Sequence, residues 1–353
     1  MGGLKLIFWP LWTSDNPYQK LLIEQLEKLG LQMGEENTRT IFLLGQEKPD
    51  ILHLHWLHPY FQASNQFYSL FKVVKFIGKL ALFRLAGIKI VWTAHNLKNH
   101  ESLNLLSDRI CTTLVAKLCH AIIAHCESAK DEVISKFYLK NKDKIFVIPH
   151  GNYVNFYQNS ISRVEARQQL DILESTLLLL FLGGIRPYKG VIELIESFKH
   201  LRQDGLQLLI AGRPLNKEFG ELVQQNIAGQ DNIKLIADFI PEAQVQVYMN
   251  ACDVVVFPYR DILTSGAVVL AMSFGRACIA PRKSCMGEVL DSSGAFLYDP
   301  DEESGLLQAM SSAINMKADL LDMGKHNRQL VEQYSWERIA GMTLNVYQWC
   351  LSC

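Results

Sequence analysis

"FLGGIRPYKGVIELIESF", residues 181–198, decides the fold. An apolar run that begins at Thr176 ends in Gly183 and Gly184. After Arg186, Lys189 and Gly190 a helical pattern opens, with Val191, Leu194, Ile195 and Phe198 on one face. Strand, tight turn and helix make the unit from which parallel sheets are built. The glycines let the backbone turn and approach a ligand closely. Arg186 and Lys189 flank a helix start, where free N–H groups and the helix dipole already favour anions. Arginine grips phosphate oxygens in pairs and lysine adds a point charge, a combination suited to a diphosphate. An ordinary strand–turn–helix with two exposed basic residues has the same outline.

The same alternation runs along most of the chain. In the first half it predicts strands at 4–9, 40–44, 51–55, 88–93, 121–125 and 144–148, with helices at 16–30, 66–86, 103–119 and 128–138. The pattern weakens into polar sequence at 151–176, where a domain junction is expected. It resumes with strands at 176–184, 206–211, 233–237, 254–258, 277–280 and 295–298. The helices there are expected at 189–203, 217–228, 241–251, 265–274 and 302–316, and segments at 320–334 and 336–350 close the chain. The expected domains are therefore 1–155 and 156–335, with 336–353 a terminal helix packing back on the first. Both domains are α/β and doubly wound, Rossmann-like, facing across a cleft. Ligands of such sheets sit beyond the carboxyl ends of the strands.

The 353 residues suffice for two such domains, and 49% hydrophobic with 20% charged residues is a globular composition. A formal net charge of −1 gives no reason to expect nucleic acid as a partner. The eight cysteines form no CxxC pair, and "MGGLKLIFWP" reads as a first strand, neither a signal peptide nor a myristoylation site. A reducing, cytoplasmic setting is expected. The longest apolar region, 67–92, is interrupted by Lys72, Lys75, Lys79 and Arg84, which excludes a transmembrane span and suits a basic amphipathic helix. Such a helix is either a core helix with a solvated basic edge or, over 67–88, a peripheral contact with the inner face of the membrane.

Gly183-x-x-Arg186-x-x-Lys189-Gly190 after such a strand resembles the second domain of GT-B glycosyltransferases, the group-1-like enzymes that use nucleotide sugars. "DILHLHW" (50–56), "VWTAHN" (91–96), "IIAHCESAKDEV" (122–133), "VIPHG" (147–151) and "FIPEAQVQVYMNACDVVVFPY" (239–259) resemble further landmarks of that group, in order. The resemblance covers nearly the whole chain. It implies sugar transfer from a nucleotide diphosphate to a lipid-linked or glycan acceptor, with no metal and no other cofactor.

"PYRDILTSGAVVLAMSFGRACIAP" (258–281) departs from the retaining pattern. Where that pattern has glutamates at the donor sugar and the nucleotide ribose, this chain has Ile262 and Leu270. Neither accepts a hydrogen bond from a hydroxyl. What remains is a helix start at Thr264, Ser265 and Gly266, with Thr264 expected as the N-cap. This form resembles the inverting β-mannosyltransferase branch of xanthan-type exopolysaccharide assembly, which implies inversion and, less directly, GDP-mannose. Tyr259 and Arg260 follow a strand end and are candidates to reach the donor, although Arg260 and Asp261 also suit a surface pair. Glu288 is a candidate ribose partner, or a solvated residue at a helix start.

An inverting transfer needs a general base for the acceptor hydroxyl. His95, at a strand end, is the first candidate because histidine titrates near neutrality; a structural histidine would also fit. Asp15 and Glu101 follow, each equally able to order a turn or a helix start. "HLHWLH" places His53 and His55 on one strand face with His58 beyond, but no carboxylate or cysteine joins them, so cleft lining or core packing is expected before a metal site. Two rival functions share the architecture: a nucleotide-sugar epimerase, needing no acceptor, and a non-catalytic sugar-nucleotide-binding protein, suggested by the missing glutamates.

Overall fold

The computed structural model describes residues 3–12, 17–34, 48–97, 104–201 and 203–352. The chain divides into two compact units, Met1–Gly151 with Tyr334–Cys353, and Asn152–Gln333. The switch between them falls at Gly151, a few residues before the 155 expected. Asp15, Glu101 and the strand expected at 40–44 lie outside the described residues.

In the first unit the strands are β1 (Lys5–Trp9), β2 (Gln32–Met33), β3 (Ile51–Leu54), β4 (Lys89–Thr93), β5 (Ala121–Ala124) and β6 (Ile145–Val147), in the order β2-β1-β3-β4-β5-β6. All pairings are parallel. Among the described residues four helices connect them: α1 (Pro17–Lys28), α2 (Gln66–Leu85), α3 (Leu105–Leu118) and α4 (Glu127–Phe137). β3 and β5 are buried throughout, as strands covered on both faces must be.

The second unit has β7 (Leu177–Leu182), β8 (Leu206–Ala211), β9 (Ile233–Ile236), β10 (Val254–Val256), β11 (Ala277–Pro281) and β12 (Ala295–Tyr298), again all parallel, in the order β12-β11-β10-β7-β8-β9. Its helices are α5 (Arg163–Leu170), α6 (Val191–Lys199), α7 (Lys217–Asn226), α8 (Val245–Ala251), α9 (Gly266–Ser273), α10 (Ser284–Val289), α11 (Gly305–Asn315) and α12 (Leu320–Glu332). β7 lies centrally, all six residues buried. The buried Arg167 on α5 anchors its start: its guanidinium donates to the carbonyls of Leu173, Glu174 and Thr176 and to Asp253 Oδ2, which also accepts from Leu178 N. α5 lies where only a polar junction is expected. It begins in a capping box between Ser162 and Glu165, a spacing visible in the sequence.

α2 differs from the simple amphipathic expectation, because it has two apolar faces. Val73, Phe76, Leu80 and Phe83 are buried, whereas Phe67, Phe71, Val74, Leu82 and Leu85 are exposed, Phe67 and Leu85 to 84%. Two of the expected rim lysines turn inward. Lys72 Nζ donates to Gln62 O and Lys79 lies over the Trp9 ring. Lys75 and Arg84 are exposed.

The last helix, α13 (Trp336–Ser352), belongs to the first unit, where Ile339, Val346 and Tyr347 join Leu22 and Leu26 of α1 in the core. Trp336 lies so close over Gly151 that a Cβ there would sit 2.4 Å from the indole. Removing this buried indole leaves a cavity that the strand ends cannot collapse into. Trp336→Ala is expected to lower the stability of the first unit by about 3–5 kcal/mol in urea unfolding; an unchanged midpoint would show that α13 is not part of that core.

Candidate functional site

In the second sheet β7 pairs with β8 on one side and β10 on the other. The chain after β7 proceeds toward β8 and the chain after β10 toward β11, in opposite directions along the sheet. This is the topological switch point, where a crevice opens beyond the strand ends. The residues after both strands meet there. Gly183 (φ +134°) and Gly184 turn the chain, and both cations fold back over this turn. Lys189 Nζ lies 3.6 Å from where a Cβ of Gly183 would stand, and the Arg186 guanidinium 3.4 Å from that of Gly184. Arg186 Nη1 donates to the carbonyls of Ile185 and Arg213, at 3.2 and 3.0 Å, which fixes the plane of the guanidinium. Gly190 has φ +69°, and a Cβ there would strike Pro258 O, so only glycine lets α6 start against the end of β10.

From the β10 side, Tyr259 runs under the Lys189 ammonium, 5.6 Å from ring centroid to Nζ, and its side chain hydrogen-bonds Ser265. Tyr259 is buried, and burial pushes its phenol well above the usual range. It joins the two halves of the site and does not present itself to a donor as expected. The N-cap of α9 is Ser265, not Thr264. Its backbone is extended and its Oγ accepts from Val268 N at 3.4 Å, because the first helical residue is Gly266. Arg260 is likewise redirected: Nη2 pairs with Glu193 Oε1 at 2.5 Å, on α6. Glu288 is exposed on the short α10, and Ile262 and Leu270 are half-buried. Two cations, a glycine turn and a capped helix start are thus gathered on one side of the sheet, an arrangement that binds anions.

The first unit gathers histidines. The strand ends lie level, Leu54 opposite Trp92, Thr93 opposite Ile123 and Ala124 opposite Val147. His55, His95 and His125 follow β3, β4 and β5, and His150 follows β6; the sequence offered His95 as a base and His55 as cleft lining or core, and gave no role to His125 or His150. His53 and His55 do share a face, their rings stacked 4.3 Å apart. His53 is fully paired, to Tyr347 OH at 2.6 Å and Thr93 Oγ1 at 2.7 Å. His55 Nδ1 lies 3.1 Å from His95 Nε2, and His95 Nδ1 lies 3.4 Å from His125 Nε2. His125 Nδ1 is 2.8 Å from Ile148 O, and His150 Nδ1 is 2.7 Å from Gly151 O. Trp56 stacks on His95 at 4.4 Å, and Tyr18 stands edge-on to His95 and His150.

His95 is therefore not a histidine near its ordinary pKa. Burial, reinforced by the neighbouring imidazoles, holds it and His55 well below the usual range. Burial also takes His53 and His150 down to about 3 and His125 to about 4. Both His95 nitrogens are engaged by other histidines, whereas His55 Nε2 is buried without a hydrogen-bond partner. His55 and His95 line a small cavity with Trp56, His58, Asn96 and Thr112, of about 10 Å³, roughly one water. Beyond it His58 Nδ1 lies 3.7 Å from Asp108 Oδ1. Among the described residues no three His, Cys, Asp or Glu side chains converge as a metal-ligand set.

Two Rossmann-like units, each a parallel six-stranded sheet with flanking helices, make the GT-B fold. Comparison with known proteins agrees. Residues 25–152 match the model "Glycosyltransferase Family 4" and residues 176–316 match "Glycosyl transferases group 1". The chain is 28% identical over 304 residues to a GDP-mannose:glycolipid 4-beta-D-mannosyltransferase of Xanthomonas campestris, covering 84% of this chain and 80% of the relative. It is 27% identical to a lipopolysaccharide 1,2-N-acetylglucosaminetransferase of Salmonella typhimurium, over 56% of this chain and 54% of that one. Among solved structures, a sucrose-phosphate synthase from Thermosynechococcus elongatus superposes over 99% of both chains with a TM-score of 0.77 at 16% identity. Anabaena HepE, in complex with UDP and glucose, gives 0.72 over 98% of this chain and 99% of that one, also at 16% identity. The chain is a hexosyl-transferring enzyme of the group-1 glycosyltransferases, near the β-mannosyltransferase branch.

The histidine cluster sets a pH dependence. Each of these side chains titrates near 6.5 when unfolded and lower when folded, so between about pH 6.5 and 4 the unfolded chain binds protons that the folded chain refuses. Stability is expected to fall with pH across that window by about 1.4 kcal/mol per pH unit for each histidine involved, and these groups add no slope above it. Urea midpoints measured at pH 7.5, 6 and 5 check this; a flat profile would mean that the imidazoles are hydrated.

Proposed function

We propose that the chain transfers a mannosyl group from GDP-mannose to a glycolipid acceptor with inversion at the anomeric carbon, without a metal, in exopolysaccharide or glycolipid synthesis. The observation that carries the proposal is the meeting of Arg186, Lys189 and the Ser265-capped helix at the switch point of the second sheet. Glycine turns bring the backbone close enough to receive a diphosphate. Arg186 Nη1 is held by two carbonyls, and a guanidinium so placed is the group that suits bidentate contact with phosphate oxygens. Lys189 and the α9 amides oppose the negative charge that grows as the nucleotide leaves. The named relative with 28% identity supports the choice of sugar and acceptor class. Ile262 and Leu270 support an active site in which no carboxylate from this stretch attends the sugar or the ribose, and an inverting displacement needs none on that face. The base then comes from the histidines of the first unit.

Label transfer from GDP-, UDP- and dTDP-sugars to a lipid-extracted acceptor, with the anomeric configuration read by NMR, tests this reading. β-Mannoside from GDP-mannose is expected; a retained configuration contradicts it, and product formed from donor alone would favour the epimerase. A charge-assisted contact contributes about 1.5–3 kcal/mol. Arg186→Ala and Lys189→Ala are therefore each expected to weaken GDP binding about 10–100-fold by calorimetry, and unchanged affinity would remove them from the donor site.

Among the described residues no helix is long and apolar enough to cross a membrane. We infer instead that α2 rests on an anionic lipid surface at the cytoplasmic face. Phe67, Phe71, Val74, Leu82 and Leu85 form its apolar stripe, and Lys75 and Arg84 supply cations beside it. Burying one such phenylalanine is worth about 1.5–3 kcal/mol. Phe67→Ser with Phe71→Ser is expected to reduce sedimentation with phosphatidylglycerol vesicles at least 10-fold by that estimate. Equal sedimentation of variant and wild type would overturn the docking surface.

A further inference from the structure

The chain of histidines across the ends of β3, β4 and β5 has its tautomers determined from one end. Burial keeps His125 uncharged at neutral pH, and its Nδ1 lies 2.8 Å from Ile148 O. A carbonyl only accepts, so this Nδ1 carries the proton and Nε2 bears the lone pair. His95 Nδ1, 3.4 Å from that lone pair, must then donate, which leaves His95 Nε2 bare. His55 Nδ1, 3.1 Å away, donates to it in turn. The series ends in an unshared pair at His55 Nε2, a buried atom with no hydrogen-bond partner on a residue that lines the small cavity. A buried acceptor left unpaired costs free energy, and a cavity with room for one water or one hydroxyl is where it can be satisfied.

We propose that His55 Nε2 takes the proton of the acceptor hydroxyl and that His95 and His125 relay the resulting charge inward, a proposal that rests on reading the chain as an inverting transferase. As the acceptor oxygen bonds the anomeric carbon, the bond from that carbon to the phosphate oxygen breaks and its electron pair leaves with the nucleotide. The hydroxyl proton joins His55 Nε2. The Nδ1 proton of His55 moves to His95 Nε2, and the Nδ1 proton of His95 moves to His125 Nε2. His125 ends as an imidazolium that donates from Nδ1 to Ile148 and from Nε2 to His95. Reverse transfer to water in the cavity resets the chain after the product leaves.

The direction is favourable. His125 Nδ1 already donates to a backbone carbonyl, a hydrogen bond that favours its imidazolium, whereas the neighbours of His95 in the row are other imidazoles. His53 and His150, also neutral by burial, and the edge of Tyr18 complete the surroundings. His55 is the catalytic residue of this scheme because it meets the substrate; His95 and His125 are positioning residues that act through it.

The test has an arm that needs no turnover. Imidazole ¹⁵N spectra of the wild-type chain at pH 7.5 are expected to show His55, His95 and His125 all protonated at Nδ1 and bare at Nε2, the minority form of free neutral imidazole side chains. Any of the three found as the Nε2–H tautomer overturns the relay. In the second arm His55→Ala is expected to lose about 100–10,000-fold in kcat with the donor KM unchanged, and added imidazole to restore at least part of the rate. Wild-type kcat in a folded His55→Ala variant also overturns it. Absence of sugar transfer by the wild-type chain is a separate failure, seen before any variant is made, and overturns the parent reading and this proposal with it.

Discussion

The divergence of the chain after β7 and β10 is the constraint on which the rest depends. Crossovers in parallel sheets are right-handed, so the connection from β7 to β8 and the one from β10 to β11 must cover opposite faces of the sheet. Between them the strand ends stand uncovered. Every feature of the second unit's site follows from filling that gap: Gly190 exists to let α6 pass Pro258, and Tyr259 spans from Lys189 to Ser265 beneath it. Under the proposed function, an anion there would meet backbone amides and cations already in position, so little reorganisation would oppose binding.

The two units divide the chemistry by polarity. The second gathers Arg186, Lys189 and the Ser265-capped helix start about its switch point. The first holds neutral imidazoles in a buried row, where each proton position depends on the next. Such a row is costly for stability at low pH and useful only if it does something, because a satisfied apolar core would be more stable. α13 closes over this row from the far end of the sequence, its Tyr347 hydroxyl 2.6 Å from His53 Nδ1, so the C-terminal segment shapes the environment of residues almost 300 positions earlier.

Much of the fold was legible. β7 reads as a buried parallel strand because six apolar residues in a row suit nothing else between polar stretches, and the Gly183–Gly190 turn marks its end. α5 was missed because its hydrophobic periodicity is weak: what holds it is a capping box and the hydrogen bonds of Arg167, and only the first is a local pattern. β2, two residues long, carries too short a pattern to be seen.

At the site, Arg186 and Lys189 were legible as a local motif, while the partners of Tyr259 and Arg260 were not, because Ser265 reaches Tyr259 through the fold of the segment after β10 and Glu193 reaches Arg260 from α6. The histidine row was half visible. A histidine following each of four successive strands is a pattern, but its meaning depends on parallel strand ends lying level, a property of the sheet and not of any segment. The fall in their pKa values was beyond sequence altogether, since burial causes it.

Under the proposed function the second unit recognises a nucleotide chiefly through its diphosphate, by groups at the switch point, without carboxylates from residues 262 and 270. Calorimetric titration of the chain with GDP, GMP and guanosine measures this most directly. Removing the β-phosphate is expected to weaken binding about 10–100-fold, the worth of one or two charge-assisted contacts. Equal affinity for GDP and guanosine would contradict it.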